Sequence, residues 1–309
     1  MINRVLIRVK VIQTLYSYLL TRPDRTFDQA INDLQHSFDK SYELYLHMLK
    51  LVVELTDLQE RRLDEAKHRF LPTEEDLNPN MRFVENALAE SIRKDEELNN
   101  IFKDRLISWS DEPIFLRLML DKILNSEPYH EYMALERTDY ATDCHLWRQL
   151  YKQVILEDED FNDFVEGTSL YVSSEDVDIM GQFALKTIRR YEERLPNPVS
   201  PMFKDDEDSD FCVTLFTKTI QQLDDNNVLI DSCIRSEKWD RSRVALMDRI
   251  ILSTAITEMK TFEKIPVNVT FNEYIDLAKI FSTPNSGVFV NGVLNAVADT
   301  LKQRGRINK

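Results

Sequence analysis

The first glycine in the sequence is Gly167, and the whole chain of 309 residues contains only five. Turns between strands and dinucleotide-binding loops depend on backbone with positive φ, which glycine adopts most readily. A chain whose first half has no glycine offers few positions for such turns. An all-β or Rossmann-type fold is therefore excluded, and an almost wholly helical one is predicted. One stretch points the other way. In VFVNGVLNAVAD, residues 288–299, Asn291-Gly292 lies between β-branched and aromatic residues, the strongest short-range hairpin signal. Yet the apolar residues there are Phe289, Val290, Val293, Leu294, Val297, Ala298 and Leu301, a helical spacing. The stretch reads as a helix that tolerates Gly292 at a cost of about 1 kcal/mol relative to alanine, as happens where another backbone comes close.

The remaining helices follow from apolar period, caps and prolines. The first is predicted over about Asn3 to Leu20, with Val5, Val9, Ile12, Leu15, Tyr16 and Leu19 on the core face and Arg4, Arg8 and Lys10 projecting elsewhere. A long amphipathic helix follows from Phe27 to about His68, ended by Pro72 and Pro79. Further helices are predicted at about 80–107, 112–124, 128–136, 140–156 and 159–166, with Asp111, Ser126, Asp139 and Asp158 as caps and Gly167 as a stop. Another runs from about Glu175 to Leu195. Pro196, Pro198 and Pro201, followed by the acids from Asp205 to Asp210, predict a Pro-rich acidic linker over 196–208. Beyond it helices are predicted at about 209–235, 242–260, 270–282 and 284–303, the third opened by a capping box from Thr270 to Glu273. The organisation expected is a helical N-terminal part over 1–195 and a C-terminal part over 209–309.

The net charge is −15, from 39 basic and 54 acidic residues, which by itself disfavours a polyanionic partner. Both ends are nevertheless basic: Arg4, Arg8, Lys10, Arg22 and Arg25 near the start, and Lys302, Arg304, Arg306 and Lys309 at the close. No apolar run reaches the length of a membrane span and the charged N-terminus does not read as a secretory signal, so a cytoplasmic protein is expected. Cys144, Cys212 and Cys233 are far apart and predict free thiols; the five histidines show no metal-ligand spacing. No metal, cofactor or small-molecule substrate is expected.

The last seventy residues carry a resemblance. Trp239, Arg243, Asp248-Arg249-Ile250-Ile251-Leu252, Glu258, Pro266, Val269, Asn272-Glu273-Tyr274-Ile275, Leu277-Ala278-Lys279, Phe281 and Phe289-Val290-Asn291-Gly292-Val293-Leu294 keep the order and spacing of the NusB family of bacterial transcription antitermination factors. Arg8, Gln13, Leu15 and Tyr16 resemble that family's first-helix motif. The resemblance covers the first twenty residues and about 175–309, leaving 26–165 as a large helical insertion. It implies an all-α, NusB-like bundle of two subdomains with inserted or extended helices. It also implies a non-enzymatic adaptor of the transcription elongation complex, which pairs with the ribosomal protein that doubles as NusE and binds single-stranded boxA-type RNA on ribosomal RNA transcripts. Carried over by position, Arg4, Arg8, Lys10, Gln13, Phe281, Asn285, Ser286 and Phe289 would face RNA, and Tyr16 and Asp248 would meet NusE. Trp239, Arg243, Asn272, Glu273, Asn291 and Gly292 would organise the C-terminal part.

The chemistry suits a single strand, which is held by cations on phosphates and aromatic faces on bases. Two departures stand beside it. Val5 and Leu6 occupy positions where the family commonly has a basic residue; Phe289 sits on an apolar stripe that suits a core as well as RNA, and the stripe Tyr274, Leu277, Ala278, Phe281 favours the core slightly for Phe281. A protein-only adaptor for polymerase or ribosome assembly, with little RNA contact, is the rival function. Fusion to an RNA methyltransferase is the other, and the chain has no glycine-rich loop to hold its cofactor.

Overall fold

Every regular element among the described residues, 2–234 and 244–307 of this computed structural model, is helical. Trp239 and Arg243 lie outside the described residues. The helices are α1 Arg4–Thr21, α2 Phe27–Lys67, α3 Glu74–Leu77, α4 Ala87–Lys94, α5 Glu96–Asp104, α6 Pro113–Leu124, α7 Glu127–Ala134, α8 Tyr140–Leu150, α9 Glu159–Thr168, α10 Ser174–Glu192, α11 Asp206–Gln221, α12 Leu223–Cys233, α13 Leu246–Thr261, α14 Val267–Phe281 and α15 Ser286–Gln303. A short π-helical turn, Tyr151–Ile155, extends α8. No helix among the described residues is long and apolar enough to cross a membrane.

The stretch with the hairpin signal is helix α15 throughout. Ser126, Asp139 and Asp158 each cap the helix that follows, their side chains accepting from backbone N–H groups of the first turn. The expected helix over 80–107 is two helices instead. Asn86 opens α4 and Asp95 opens α5 by accepting backbone hydrogen bonds, so two polar residues inside one apolar pattern act as caps. Likewise 209–235 divides at Gln222 into α11 and α12. Asp111 makes no cap, since Glu112 holds that place at α6 without a side-chain bond. Gly167 lies within α9 and does not stop it.

Left-handed backbone falls largely on residues other than glycine. After α5, Leu106 has φ 55°, with Leu106 N donating to Lys103 O (3.2 Å) and Ile107 N to Phe102 O (2.8 Å). This is a Schellman closure with leucine where glycine is usual. Arg194, with φ 52°, closes α10 in the same way.

The chain divides into two units, residues 39–202 and residues 2–38 with 203 onward. In the first, hereafter unit 1, α8 packs against α4, α7 and α10. Trp147 and Tyr151 are wholly buried, with the Tyr151 hydroxyl donating to the Met48 carbonyl. In the second, unit 2, α13 packs against α1, α11, α12, α14 and α15. Residues 250–259 of α13 are all buried, as expected of a helix surrounded on every side.

This division differs from the expected 1–195 and 209–309, because the first 37 described residues join the C-terminal helices. The acidic run also differs from a tether. Asp205 caps α11, its side chain accepting from Asp208 N (3.1 Å), and Asp206, Glu207 and Asp208 form the first turn. Acids are stabilising there because the helix N-terminus carries partial positive charge. Cys144, Cys212 and Cys233 are free thiols, the first two buried.

Candidate nucleic-acid and partner interface

Helix α1 has no solvent face over two of its turns: residues 6–12 are all buried. Arg8 and Lys10 therefore do not project outward as expected, being 2% and 1% exposed. The physical reason for Arg8 is Glu258 of α13, itself wholly buried. Arg8 Nε donates to Glu258 Oε2 (2.8 Å) and Nη2 to Oε1 (3.0 Å), a two-pronged charge-assisted pair. Thr270 Oγ1 donates to Glu258 Oε1 (2.9 Å) and Tyr274 OH to Oε2 (3.0 Å), so four donors surround one carboxylate. Glu273 Oε2 lies 3.5 Å from Arg8 Nη1. Phe211 and Tyr274 place their rings 5.7 and 5.9 Å from the guanidinium, within cation–π reach.

Burial alone would lower the Arg8 pKa, but the hydrogen bonds and charge of Glu258 outweigh it and hold the guanidinium's proton more tightly than usual. The Tyr274 hydroxyl is pushed well up by burial and then by the Glu258 charge, so it donates and does not ionise. The expected capping box is therefore absent. Helix α14 starts at Val267 behind Pro266, and Thr270 and Glu273 serve the Arg8–Glu258 cluster instead. The residues missed from sequence are Thr270 and Tyr274 as ligands of Glu258, together with Phe211. The available signal was Glu258 itself, an acid in an otherwise uncharged run from Ile250 to Met259.

Arg4 keeps part of its surface, with its side chain 35% exposed, but its Nε donates to Asp208 (3.0 Å) and Nη2 lies 3.6 Å from Glu207. Gln13 is half-buried. Tyr16 is 36% exposed and Val5 40% exposed, so both turn away from the core that their apolar character predicted.

At the junction of α14 and α15, Phe281 is half-buried and Asn285 exposed, whereas Ser286 and Phe289 are buried. Phe289 thus takes the core role left open by its stripe. Ser286 Oγ donates to Asp248 Oδ2 (3.1 Å) and lies 2.8 Å from Thr283 Oγ1. Asp248 is consequently only 6% exposed, and does not stand at the surface as a partner contact would. Asn272 is exposed.

Gly292 corrects another expectation. An added Cβ there meets nothing within 4 Å among the described residues, so no backbone among them requires a glycine at that position. Five residues earlier, a Cβ on Gly287 would sit 3.0 Å from the side-chain Cγ of Lys279, with the nearest backbone atom, Ile275 O, at an ordinary contact distance of 3.7 Å. Asn291 is exposed, its Oδ1 accepting from Asn295 Nδ2 (2.8 Å). Val288, Asn291, Gly292 and Asn295 thus form an open stripe along α15.

Among the described residues no group of three His, Cys, Asp or Glu side chains is arranged to hold a metal ion. The NusB family profile matches residues 175–299, from α10 through α15. The transcription antitermination protein NusB of Salinibacter ruber is 38% identical over 109 residues, covering 35% of this chain and 67% of that protein. Those of Bacillus mycoides and Bacillus thuringiensis are 48% and 47% identical over 79 residues, covering 25% of this chain. The chain spans 61% of the length of these two Bacillus proteins. No solved structure matches. With an all-helical fold, the family profile over α10–α15 and relatives of this similarity, the chain belongs to the NusB family.

Proposed function

We propose that this protein is a cytoplasmic transcription antitermination factor that pairs with NusE and, jointly with it, binds boxA-type RNA on ribosomal RNA transcripts. The observation that carries the reading is the charge balance of unit 2. Residues 2–38 and 203–309 hold 19 acidic and 19 basic residues, so the −15 that argues against a polyanion falls outside the unit that holds the candidate contacts. The side chains offered to ligands are Arg4, Gln13 and Tyr16 on α1, and Phe281 and Asn285 at the α14–α15 junction. Arg8, Lys10, Ser286 and Phe289 support these from within. We assign the protein no reaction.

One observation favours the second reading, a protein-only adaptor: with Arg8 and Lys10 buried and Arg4 already paired to two acids, the first helix offers RNA little free charge. Fluorescence anisotropy of a labelled boxA-like RNA, with and without NusE over a salt series, separates the two. Arg4 with the exposed Lys302, Arg304 and Arg306 gives a log-log slope of about −1 to −3, at roughly −0.7 per single-strand phosphate. Phe281→Ala is expected to weaken the ternary complex by about 1–3 kcal/mol if a base stacks there. No binding with NusE present would reject the RNA reading in favour of the protein-only adaptor.

A further inference from the structure

Unit 1 is the acidic part of the molecule: residues 39–202 carry 35 acidic and 20 basic residues, which accounts for the whole net charge of −15. Such a field attracts polycations, but does not locate a site. A cavity of about 260 Å³ does, formed by α2, the segment between α5 and α6, and the end of α9. One wall is aromatic. Trp109 is fixed by Nε1 donating to His47 O (3.0 Å), and its ring lies 6.0 Å from Phe164 at 29°. Phe115 backs both rings, 4.2 Å from Phe164 and nearly parallel to it. His47 meets Trp109 edge-on at 5.3 Å, and burial lowers its pKa, so it lines the cavity as a neutral ring. The floor includes Leu44.

The charges at the mouth do not cancel. Lys40 is 2.6 Å from Glu43 and neutralises it. Asp111, exposed, and Glu112, half-buried, both line the cavity and have no ion-pair partner among the described residues. The volume lies below the roughly 300–1,000 Å³ of small-molecule pockets and suits a single side chain. An aromatic face beside two carboxylates is the environment a guanidinium prefers, since it stacks on rings and pairs with carboxylates. Flanking the lining positions in the sequence are apolar residues that solvent otherwise reaches: Leu106 at 84% and Ile114 at 73% exposed, and Leu170 fully exposed. Each lies within two residues of a lining position. A free cation would leave them uncovered; a polypeptide segment would not.

We propose that unit 1 carries a docking site for a basic segment of a partner protein, in which an arginine side chain enters the Trp109–Phe164 cavity and pairs with Asp111 and Glu112 while flanking apolar residues cover Leu106, Ile114 and Leu170. The site is independent of the RNA function.

The test uses the full chain and a labelled peptide with one arginine flanked by leucines in a glycine–serine background. A second peptide has citrulline, the neutral isostere, in place of arginine. The citrulline peptide is expected to bind at least tenfold more weakly. Asp111→Lys with Glu112→Lys is expected to cost at least tenfold for the arginine peptide, and Phe164→Leu a smaller but measurable loss. Glu60→Lys with Glu65→Lys, exposed on α2, is expected to cost less than twofold. Equal losses in the two charge-reversed variants would reduce the effect to general attraction and overturn the site. So would citrulline binding as well as arginine, or free arginine competing at the peptide's own concentration, which would indicate a small-molecule pocket. A dimer in sedimentation that Asp111→Lys with Glu112→Lys dissolves would make a second copy the occupant, and would equally overturn the proposal.

Discussion

Replacing Arg8 with methionine keeps an unbranched apolar stem and removes the guanidinium with its charge, which leaves Glu258 wholly buried with only the Thr270 and Tyr274 hydroxyls as donors. Removing one member of a buried ion pair typically costs about 3–5 kcal/mol, because the other charge is stranded in low dielectric. The upper half of that range is expected here, since two charge-assisted bonds of 2.8 and 3.0 Å are lost together. Arg8→Lys keeps the charge but cannot reproduce both bonds, and is expected to cost about 1.5–3 kcal/mol, the worth of one hydrogen bond to a charged group. Combining Arg8→Met with Glu258→Gln removes the stranded charge and is expected to recover at least about 1 kcal/mol relative to Arg8→Met alone. At roughly 2–4 °C per kcal/mol for a unit of this size, Arg8→Met lowers the melting point of unit 2 by about 8–20 °C. Urea unfolding read by hydrogen exchange of the α13 and α14 amides reports on unit 2 without assuming that the whole chain unfolds in one step. A loss below about 1 kcal/mol for Arg8→Met, or strict additivity in the cycle, would refute the assignment of Arg8 to structure and return it to the surface chemistry suggested by its sequence.

Three further outcomes are expected. Leu106→Gly relieves a left-handed residue whose side chain is mostly in solvent; set against glycine's extra unfolded-state entropy, the gain is up to about 1 kcal/mol by urea midpoint. Gly292→Ala, at an exposed helix position with nothing near its Cβ, is expected to stabilise α15 by about 1 kcal/mol, and a loss of NusE or RNA affinity alongside that gain would place a partner against the open α15 stripe. His47 has a lowered pKa because burial disfavours its charged form, with Lys40 adding to the effect and Glu43 opposing it. Its contribution to stability is therefore full above the unfolded value of about 6.5 and is lost as pH falls below that toward the folded value; comparing urea midpoints of wild type and His47→Gln at pH 7.5 and 5 should show the smaller acid loss in the variant.

How much of this was legible depended on whether the deciding partner was near in sequence. The ends of α1, α2, α7, α8 and α15 were within reach because caps, prolines and apolar period are local. Local signals also misled where a distant group competed for them. Thr270 and Glu273 have the form of a capping box, but Glu258 and Arg8 claim their side chains and α14 starts a turn earlier. Arg8 looked like a surface cation because its counter-charge lies 250 residues away. Nothing near position 8 announces it. The acidic run from Asp205 looked like a tether because composition does not distinguish a solvated stretch from the first turn of a helix, and Arg4, which pairs with Asp208, is again remote.

The net charge posed the sharpest conflict between composition and family, and the division into units shows which residues carry it. A charge of −15 opposes RNA only to the extent that its field reaches the binding surface. At physiological ionic strength that field decays over about 8 Å, so the charges close to a bound strand decide the matter and the sum over the chain does not. The unit holding Arg4, Gln13, Phe281 and Asn285 is balanced at 19 against 19, while the excess of 15 acids sits in residues 39–202. On the proposed RNA reading, raising salt should weaken binding through Arg4 and the basic tail. The same screening should weaken an arginine peptide at Asp111 and Glu112. If both proposals hold, lowering salt is expected to strengthen both interactions, two opposite ligands on one acidic protein responding in the same direction because each answers to its own local charges.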